Sequence, residues 1–447
     1  MNQLRTRRWG VTRSVALGLA FLGLGSGAAR ADVVTDWNNN VIGFTIGAGR
    51  SNPETGAAAA YMHIAIYDAI SSIDGNYTPF ATRVTQVPPG ASREAAAIEA
   101  AYRILASLYP AASFATLANQ FAAAYAHDLN AIPNGQAKTD GMAVGLAAAN
   151  GLIAKRQNDG FRASVPYTFL PLGPGVYQKT PGADGTIATY AGPVTPWMKQ
   201  FKPFAILSPD QFRVDGPPPL GSAQWAEDFN EVKNFGAASS LPNSRSAEQE
   251  EIGLFYGLIN AQLQIGRNLR KLAQDQNLTA NIADTARFFA QTYVTTADAF
   301  VGCWDSKYSF NFWRPVTAIQ HADIDGNDAT DPDLNWAPQI VTPGHPEFPS
   351  AHGCGTSAYA HAIAEFFGTK RLPGGITLTG AAGHPDRLFD STDDIVKEII
   401  DARVYNGVHY RTSVVQGAIL GRKVAQWVAK FYFQPTGAHV PQGPKRD

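Results

Sequence analysis

Helical periodicity broken at regular intervals by Pro and Gly limits this chain's fold more than any other feature. Over residues 53–75, 91–109, 113–130 and 136–156, apolar positions, many of them Ala, recur at helical spacing. Breakers mark the ends: Pro88-Pro89-Gly90, Pro110, Pro133-Asn134-Gly135, Gly151 and Gly160. Residues 158–222 lose the period. They are dense in Pro and Gly with scattered Tyr and Phe, and read as a long structured loop region able to cover a pocket mouth. The period returns as one long helix over 245–275, with Ile252, Phe255, Tyr256, Ile259, Leu263 and Leu269 as its stripe. Further helices are predicted over 280–305, 350–367, 391–405 and 413–431. The expected fold is all-α, a helical bundle or two packed bundles, with long loops covering one end.

The chain has 447 residues, 45% hydrophobic and 16% charged, enough for a large core. Its net charge is −1, and no basic stripe lies outside the N-terminus, which argues against a nucleic-acid or membrane-surface partner. Arg5, Arg7, Arg8 and Arg13 precede a short apolar run, Val15 to Leu24, and an Ala29-Arg30-Ala31 cleavage site. That order reads as a signal peptide over 1–31, with the mature chain starting at Asp32 and exported to the periplasm or medium. Arg7-Arg8 leaves both the Sec and the twin-arginine routes open. No segment is long enough to span a membrane. The remaining divisions expected are an N-terminal helical half with the Pro/Gly-rich region (32–240), a catalytic helical bundle (241–435) and a tail (436–447).

Three short segments in the last third carry the chemistry. They are Lys307-Tyr-Ser-Phe-Asn-Phe-Trp-Arg314-Pro315, Pro349-Ser350-Ala351-His352-Gly353 and Arg403-Val-Tyr-Asn-Gly-Val-His409. Lys307 and Arg314 lie among Trp304, Phe310, Phe312 and Trp313, an apolar setting in which a cation needs a partner. Pro315 argues against a regular helix through Arg314. Ser350 is a natural N-cap, leaving the N–H groups of Ala351 and His352 for an anion. Gly407 can end a helix in the left-handed conformation, letting His409 turn back toward Arg403, with Thr412 or Ser413 capping the last helix. Cations, a hydroxyl, a helix N-terminus and two imidazoles suit a tetrahedral oxyanion. Each segment alone also fits an ordinary role: a surface ion pair, a cap, a loop histidine.

In this order and spacing the segments resemble the signature K-x6-R-P, P-S-G-H, S-R-x5-H-x3-D. That signature belongs to the superfamily of type 2 phosphatidic acid phosphatases and vanadium-dependent haloperoxidases. The chain is most similar to the bacterial haloperoxidase-like branch, and Ala60-Tyr-Met-His63-Ile-Ala-Ile-Tyr-Asp68 looks like an early helix of that branch. The resemblance implies that Lys307, Arg314, Ser350, Ala351 and Arg403 hold the oxyanion. It makes His409 the ligand of the central atom, His352 the acid/base and Lys307 a further catalytic group. The implied cofactor is vanadate, with phosphate as an alternative occupant. The implied activity is halide oxidation by hydrogen peroxide through a His-bound peroxovanadate. The alternatives are an exported acid phosphatase acting on phosphomonoesters through a phosphohistidine, and an oxyanion-binding protein with little turnover. Trp304 matches a residue flanking the halide, and His345 stands where brominating members carry His, which favours bromide or iodide.

Three positions depart from the signature: Ala351 for Gly, Ala402 for Ser and Ser413 for the terminal Asp. The last removes the carboxylate that orients the nucleophilic His in the phosphatases. Cys303 and Cys354 each flank a motif, and a disulfide and two separate thiols are both compatible with the sequence. Asp323-Ile-Asp325-Gly-Asn327-Asp328 fails as an EF-hand, lacking Gly at the sixth position and an acid at the twelfth, Leu334. His63 reads as a buried helix residue bonded to Asp68 or to backbone.

Overall fold

The computed structural model describes residues 32–183, 185–190 and 192–438. The expected signal peptide and most of the expected tail lie outside the described residues. In chain order the helices are α1 (Val33–Gly47), α2 (Asn52–Asp74), α3 (Arg93–Leu108), α4 (Ala111–Asn130), α5 (Gln136–Lys155), α6 (Ala223–Phe235), α7 (Ala247–Gly257) and α8 (Ala261–Asp275). They continue as α9 (Ile282–Phe310), α10 (Pro315–Gln320) and α11 (Ala351–Phe367). A two-stranded antiparallel hairpin follows, β1 (Ile376–Leu378) and β2 (Arg387–Phe389), with Ile376 opposite Phe389. The helices α12 (Thr392–Tyr405) and α13 (Arg411–Phe431) complete the fold, which is all-α apart from that hairpin.

The long helix α9 is the axis. It is buried from Thr285 to Lys307, Arg287 apart, as expected of a helix that is apolar on every side. It packs on α2 and on α11 and α13, while α3 and α5 pack on α2 and α4 packs on α3 and α1. Helix starts follow their caps: Ser51, Ser92, Ser222, Ser246, Asn260, Asn281, Ser350 and Ser391 each accept a first-turn N–H. The Pro/Gly-rich stretch is tied to α9. The Asp298 carboxylate accepts the N–H groups of Phe204 (2.6 Å), Ala205 (2.6 Å) and Ile206 (2.8 Å). Asp305 pairs bidentately with Arg213 at 2.6 and 2.7 Å.

Several expectations need correction. The helix predicted over 245–275 is two helices. The chain breaks at Leu258–Asn260, and Asn260 Oδ1 then accepts from the amides of Gln262 and Leu263. Neither Thr412 nor Ser413 caps α13. That helix starts at Arg411, and the Thr412 N–H is taken by Asp228 of α6 at 3.2 Å. His63 bonds neither Asp68 nor backbone: it meets Asn38 at 3.1 Å, while Asp68 accepts the amides of Phe80, Ala81 and Thr82. Helices α1, α6 and α10 and the hairpin are not among the predicted elements. Cys303 and Cys354 are free, buried thiols, and Cys354 is held well above the usual thiol range by burial and by Cys303 beside it. The acidic loop is a turn anchored to α6, with Asp325 accepting from Asn327 N–H, Thr330 and Trp225 Nε1.

Gly407 behaves as the spacing predicts. It follows α12 with φ of 72°, and a Cβ there would lie 2.1 Å from the Gly236 carbonyl oxygen. A Gly407→Ala variant is expected to lose about 1–3 kcal/mol of stability to backbone strain alone, and the clash adds to it. Thermal unfolding of both proteins checks this, and equal melting temperatures would count against it.

Candidate oxyanion site

The three segments meet where α9, α11, α12 and α13 converge. Lys307 lies in the last turn of α9, which stops because Asn311 enters the left-handed region (φ 50°). Arg314 is then the residue before α10, with Pro315 at its first position, so the chain turns between the two cations as the proline requires. Ser350 caps α11, its Oγ 3.3 Å from Gly353 N, which leaves Ala351 and His352 as the first helical amides with no acceptor inside the helix. Arg403 sits in the last turn of α12, and Gly407 turns the chain so that His409 faces back toward it. Ser350 N–H donates to Ser413 O at 3.1 Å, which ties the start of α11 to the start of α13.

Lys307, Arg314 and Ser350 are 0% exposed, and Arg403 and His409 1%. A loop running from Pro343 to Glu347 supplies most of the polar partners. Lys307 Nζ donates to the carbonyls of Pro346 and Glu347, both at 2.9 Å. Arg314 donates to the carbonyls of His345 (3.0 Å), Pro343 (3.1 Å) and Val408 (2.8 Å). Its Nη2 also meets His345 Nδ1 at 3.0 Å, and its Nη1 meets His409 Nε2 at 3.1 Å. Arg403 donates to Asn406 Oδ1 at 2.6 Å, and its Nε is buried with no partner.

The histidine protons follow from these contacts. An arginine only donates, so His409 Nε2 presents a lone pair to Arg314. The remaining proton is on Nδ1, which donates to Glu347 Oε1 at 2.7 Å. His409 is held well below the usual imidazole range by burial first, then by Arg314, Lys307 and Arg403. His345 and His352 are lowered by burial and the same cations. All three imidazoles are therefore neutral at pH 7 before an anion arrives. Burial pushes Lys307 down to about 8, and burial with Arg314 nearby pushes Arg403 down to about 9. Glu347, raised to about 7 by burial, is the acid among them.

This group of residues suits an oxyanion cofactor. Three buried cations face one carboxylate; an unpartnered guanidinium N–H and two helix-start amides remain, and the His409 Nε2 lone pair is held only by Arg314. A cavity of 370 Å³ adjoins them, lined by His345, Ala351, His352 and His409 on the site side and by Phe300, Trp304, Ile265 and Pro53 on the other. Val194 of the Pro/Gly-rich stretch also lines it. Val194 O accepts from Trp304 Nε1 (3.1 Å) and Tyr308 OH (2.9 Å), and its N–H donates to Gly344 O at 2.8 Å. The stretch read as a cover for a pocket mouth thus forms part of the cavity wall. Trp304 also packs on His345, ring centroids 5.0 Å apart.

All the residues singled out from the sequence are brought together here; Ser413 takes part through its carbonyl and lies beside Glu347. The residue missed is Glu347. Its signal was an acid inside the run Pro343-Gly-His-Pro-Glu-Phe-Pro349, with no Lys or Arg in that run to pair with it.

Residues 287–437 match the family model of the VCPO second helical-bundle domain. Over 193 residues the chain is 26% identical to vanadium chloroperoxidase of Curvularia inaequalis, a match covering 38% of this chain and 32% of that protein. The chain thus spans about a third of the length of that curated relative. Among solved structures, a bacterial vanadium-dependent iodoperoxidase superposes with a TM-score of 0.72 at 23% identity, covering 91% of this chain and 97% of that one. The apo form of a bacterial vanadium-dependent chloroperoxidase superposes at 0.64 and 16% identity, covering 84% and 92%. These likenesses establish a shared fold.

Oxyanion affinity should depend on pH with a definite sign. Above about 8 the free Lys307 loses its proton, so binding an anion must take one up and affinity falls. Sulfate is the clean probe, since it does not titrate in that range. Calorimetry should show sulfate binding weaken from about 8 in the wild type but only from about 9, where Arg403 titrates, in Lys307→Met; a fall that begins at the same pH in both proteins would refute the assignment.

Proposed function

We propose that this chain, a vanadium haloperoxidase-like protein, is an exported vanadium-dependent haloperoxidase that oxidises halide with hydrogen peroxide, iodide and bromide in preference to chloride. The observation that carries the proposal is the unpartnered positive charge around His409: three buried cations, one of them with a free N–H, around an imidazole whose Nε2 lone pair points among them.

Vanadate, when bound, supplies a Lewis acid at which hydrogen peroxide is activated toward a halide. The protein's residues do the rest. His409 offers Nε2 as the ligand. Arg314, Arg403, Ser350 and the amides of Ala351 and His352 would hold the anion's oxygens, and Lys307 Nζ would donate to the oxygen that accepts charge. Burial first, then Arg403, Lys307 and Arg314, holds His352 low; with the cations offset by an anion, His352 would be able to accept and return a proton at the site. Trp304 and His345 form an apolar wall with one polar edge, suited to a large, weakly hydrated halide.

The second reading is an acid phosphatase on the same scaffold, with His409 attacking phosphorus and His352 protonating the leaving oxygen. It is favoured by the carboxylate on His409 Nδ1, which makes Nε2 more basic. A third is an oxyanion-binding protein with little turnover.

Apo-protein incubated with or without orthovanadate is assayed for peroxide-dependent iodination and bromination and, in parallel, for hydrolysis of an aryl phosphate. Halide oxidation is expected only with vanadate, with little hydrolysis, and is expected to vanish in His409→Ala. Hydrolysis by the apo-protein that vanadate suppresses would instead make it the phosphatase, and neither activity the binder.

Export to the periplasm or medium belongs to the same proposal. Asp32 is the N-cap of α1, accepting from Thr35 N at 2.9 Å, so cleavage after Ala31 would leave the first helix intact. N-terminal sequencing of the secreted protein should read from Asp32; a mature protein that retains Met1 would contradict it.

A further inference from the structure

Glu347 is a carboxylate at 0% exposure, and a charge so placed must be held by what surrounds it. Three cations are close by, yet its short contact is with none of them. Oε1 accepts from His409 Nδ1 at 2.7 Å and from the Tyr410 amide at 3.3 Å. Lys307 instead takes the backbone carbonyl of the same residue. The side chain is thus directed at the imidazole while its main chain holds the lysine.

The position that in related signatures carries an Asp, four residues beyond His409, is Ser413 here. Ser413 lies beside the Glu347 carboxylate, and its carbonyl is bonded to Ser350 N–H at 3.1 Å. The start of α13 and the segment before α11 are therefore pinned together. The Glu347 carboxylate, three residues before Ser350, thus lies both beside residue 413 and against His409.

We propose that Glu347 is the positioning residue for His409: it fixes the Nδ1–H tautomer and the ring orientation, so that Nε2 bonds the central atom of the oxyanion, in place of the carboxylate missing at 413. An imidazole bonded through one nitrogen is oriented and made more basic by an anionic acceptor on the other. A neutral Ser cannot do the second of these, and Glu347 does both. The inference rests on the reading that His409 bonds the oxyanion's central atom.

The test separates a bonded anion from one that is only surrounded. Orthovanadate and sulfate affinities are measured by calorimetry on the wild type, Glu347→Gln, Glu347→Ala and the double variant Glu347→Ala/Ser413→Asp. Outer-shell partners of this kind typically cost about 10–100-fold in affinity when lost. Glu347→Gln should weaken vanadate by about that factor while sulfate, which makes no bond to His409, binds as well or better because a nearby negative charge is gone. The double variant should recover part of the vanadate affinity lost in Glu347→Ala. In ¹⁵N-histidine-labelled apo-protein, the His409 signals should show the Nδ1–H tautomer in the wild type and a mixture in Glu347→Ala. Equal loss of both anions in Glu347→Gln would reduce Glu347 to a structural residue and overturn the proposal, as would no recovery in the double variant. A wild type that binds vanadate no more tightly than sulfate would instead overturn the reading of His409 itself.

Discussion

Three permanently or nearly charged cations buried within one pocket are the constraint on which the rest of this structure depends. Lys307, Arg314 and Arg403 lie at or near zero exposure, and removing such charges from water costs several kcal/mol each unless they are rehydrated by protein dipoles or met by an anion. The protein supplies the dipoles from one short loop. The carbonyls of Pro343, His345, Pro346 and Glu347 take the N–H groups of Arg314 and Lys307, and Val408 adds another. It does not supply enough negative charge. Burial first, and Arg314 nearby second, pushes Lys307 and Arg403 down, and an oxyanion would favour their charged forms.

The architecture follows from holding that pocket. Each cation comes from a helix end or from the residue beside one, where the chain can change direction: the last turn of α9, the start of α10, the last turn of α12. Helix α9 delivers Lys307 and Trp304, and it also anchors the Pro/Gly-rich stretch through Asp298 and Asp305. The same stretch returns at Val194 to bond Trp304, Tyr308 and the Gly344 backbone, so the cavity wall and the carbonyl-bearing loop are fixed together. Neutral imidazoles are the consequence for chemistry. Burial and neighbouring cations keep His345, His352 and His409 unprotonated, leaving one lone pair for a ligand and another for a proton.

Helix identity was largely legible along the chain. Helical periodicity, Pro and Gly breakers and the Ser350 cap gave α2 to α5, α9 and α11 to α13 to within a few residues. The errors share a cause. The break between α7 and α8 keeps an apolar period running across it, so only the Asn260 cap marks it. Helix α6 is short and follows a Pro/Gly-dense stretch, and its Trp225 is fixed by Asp325, a hundred residues away. The start of α13 depends on Asp228, not on a local hydroxyl.

By itself the sequence determined an all-α fold and a set of oxyanion groups, because periodicity, caps and motif spacing are local and survive reading one residue after another. It also determined where the chain turns within the motifs, since Pro315 restricts the backbone and Gly407 frees it for the left-handed conformation whatever surrounds them. Tertiary structure alone decided which carboxylate serves His409. Position 413 lost its acid and position 347 provides one, and no spacing rule joins residues 62 apart on different elements. It also decided that the two thiols stay unbridged and that Val194 walls the cavity. Those outcomes depend on distances across packed helices, which a linear pattern does not encode.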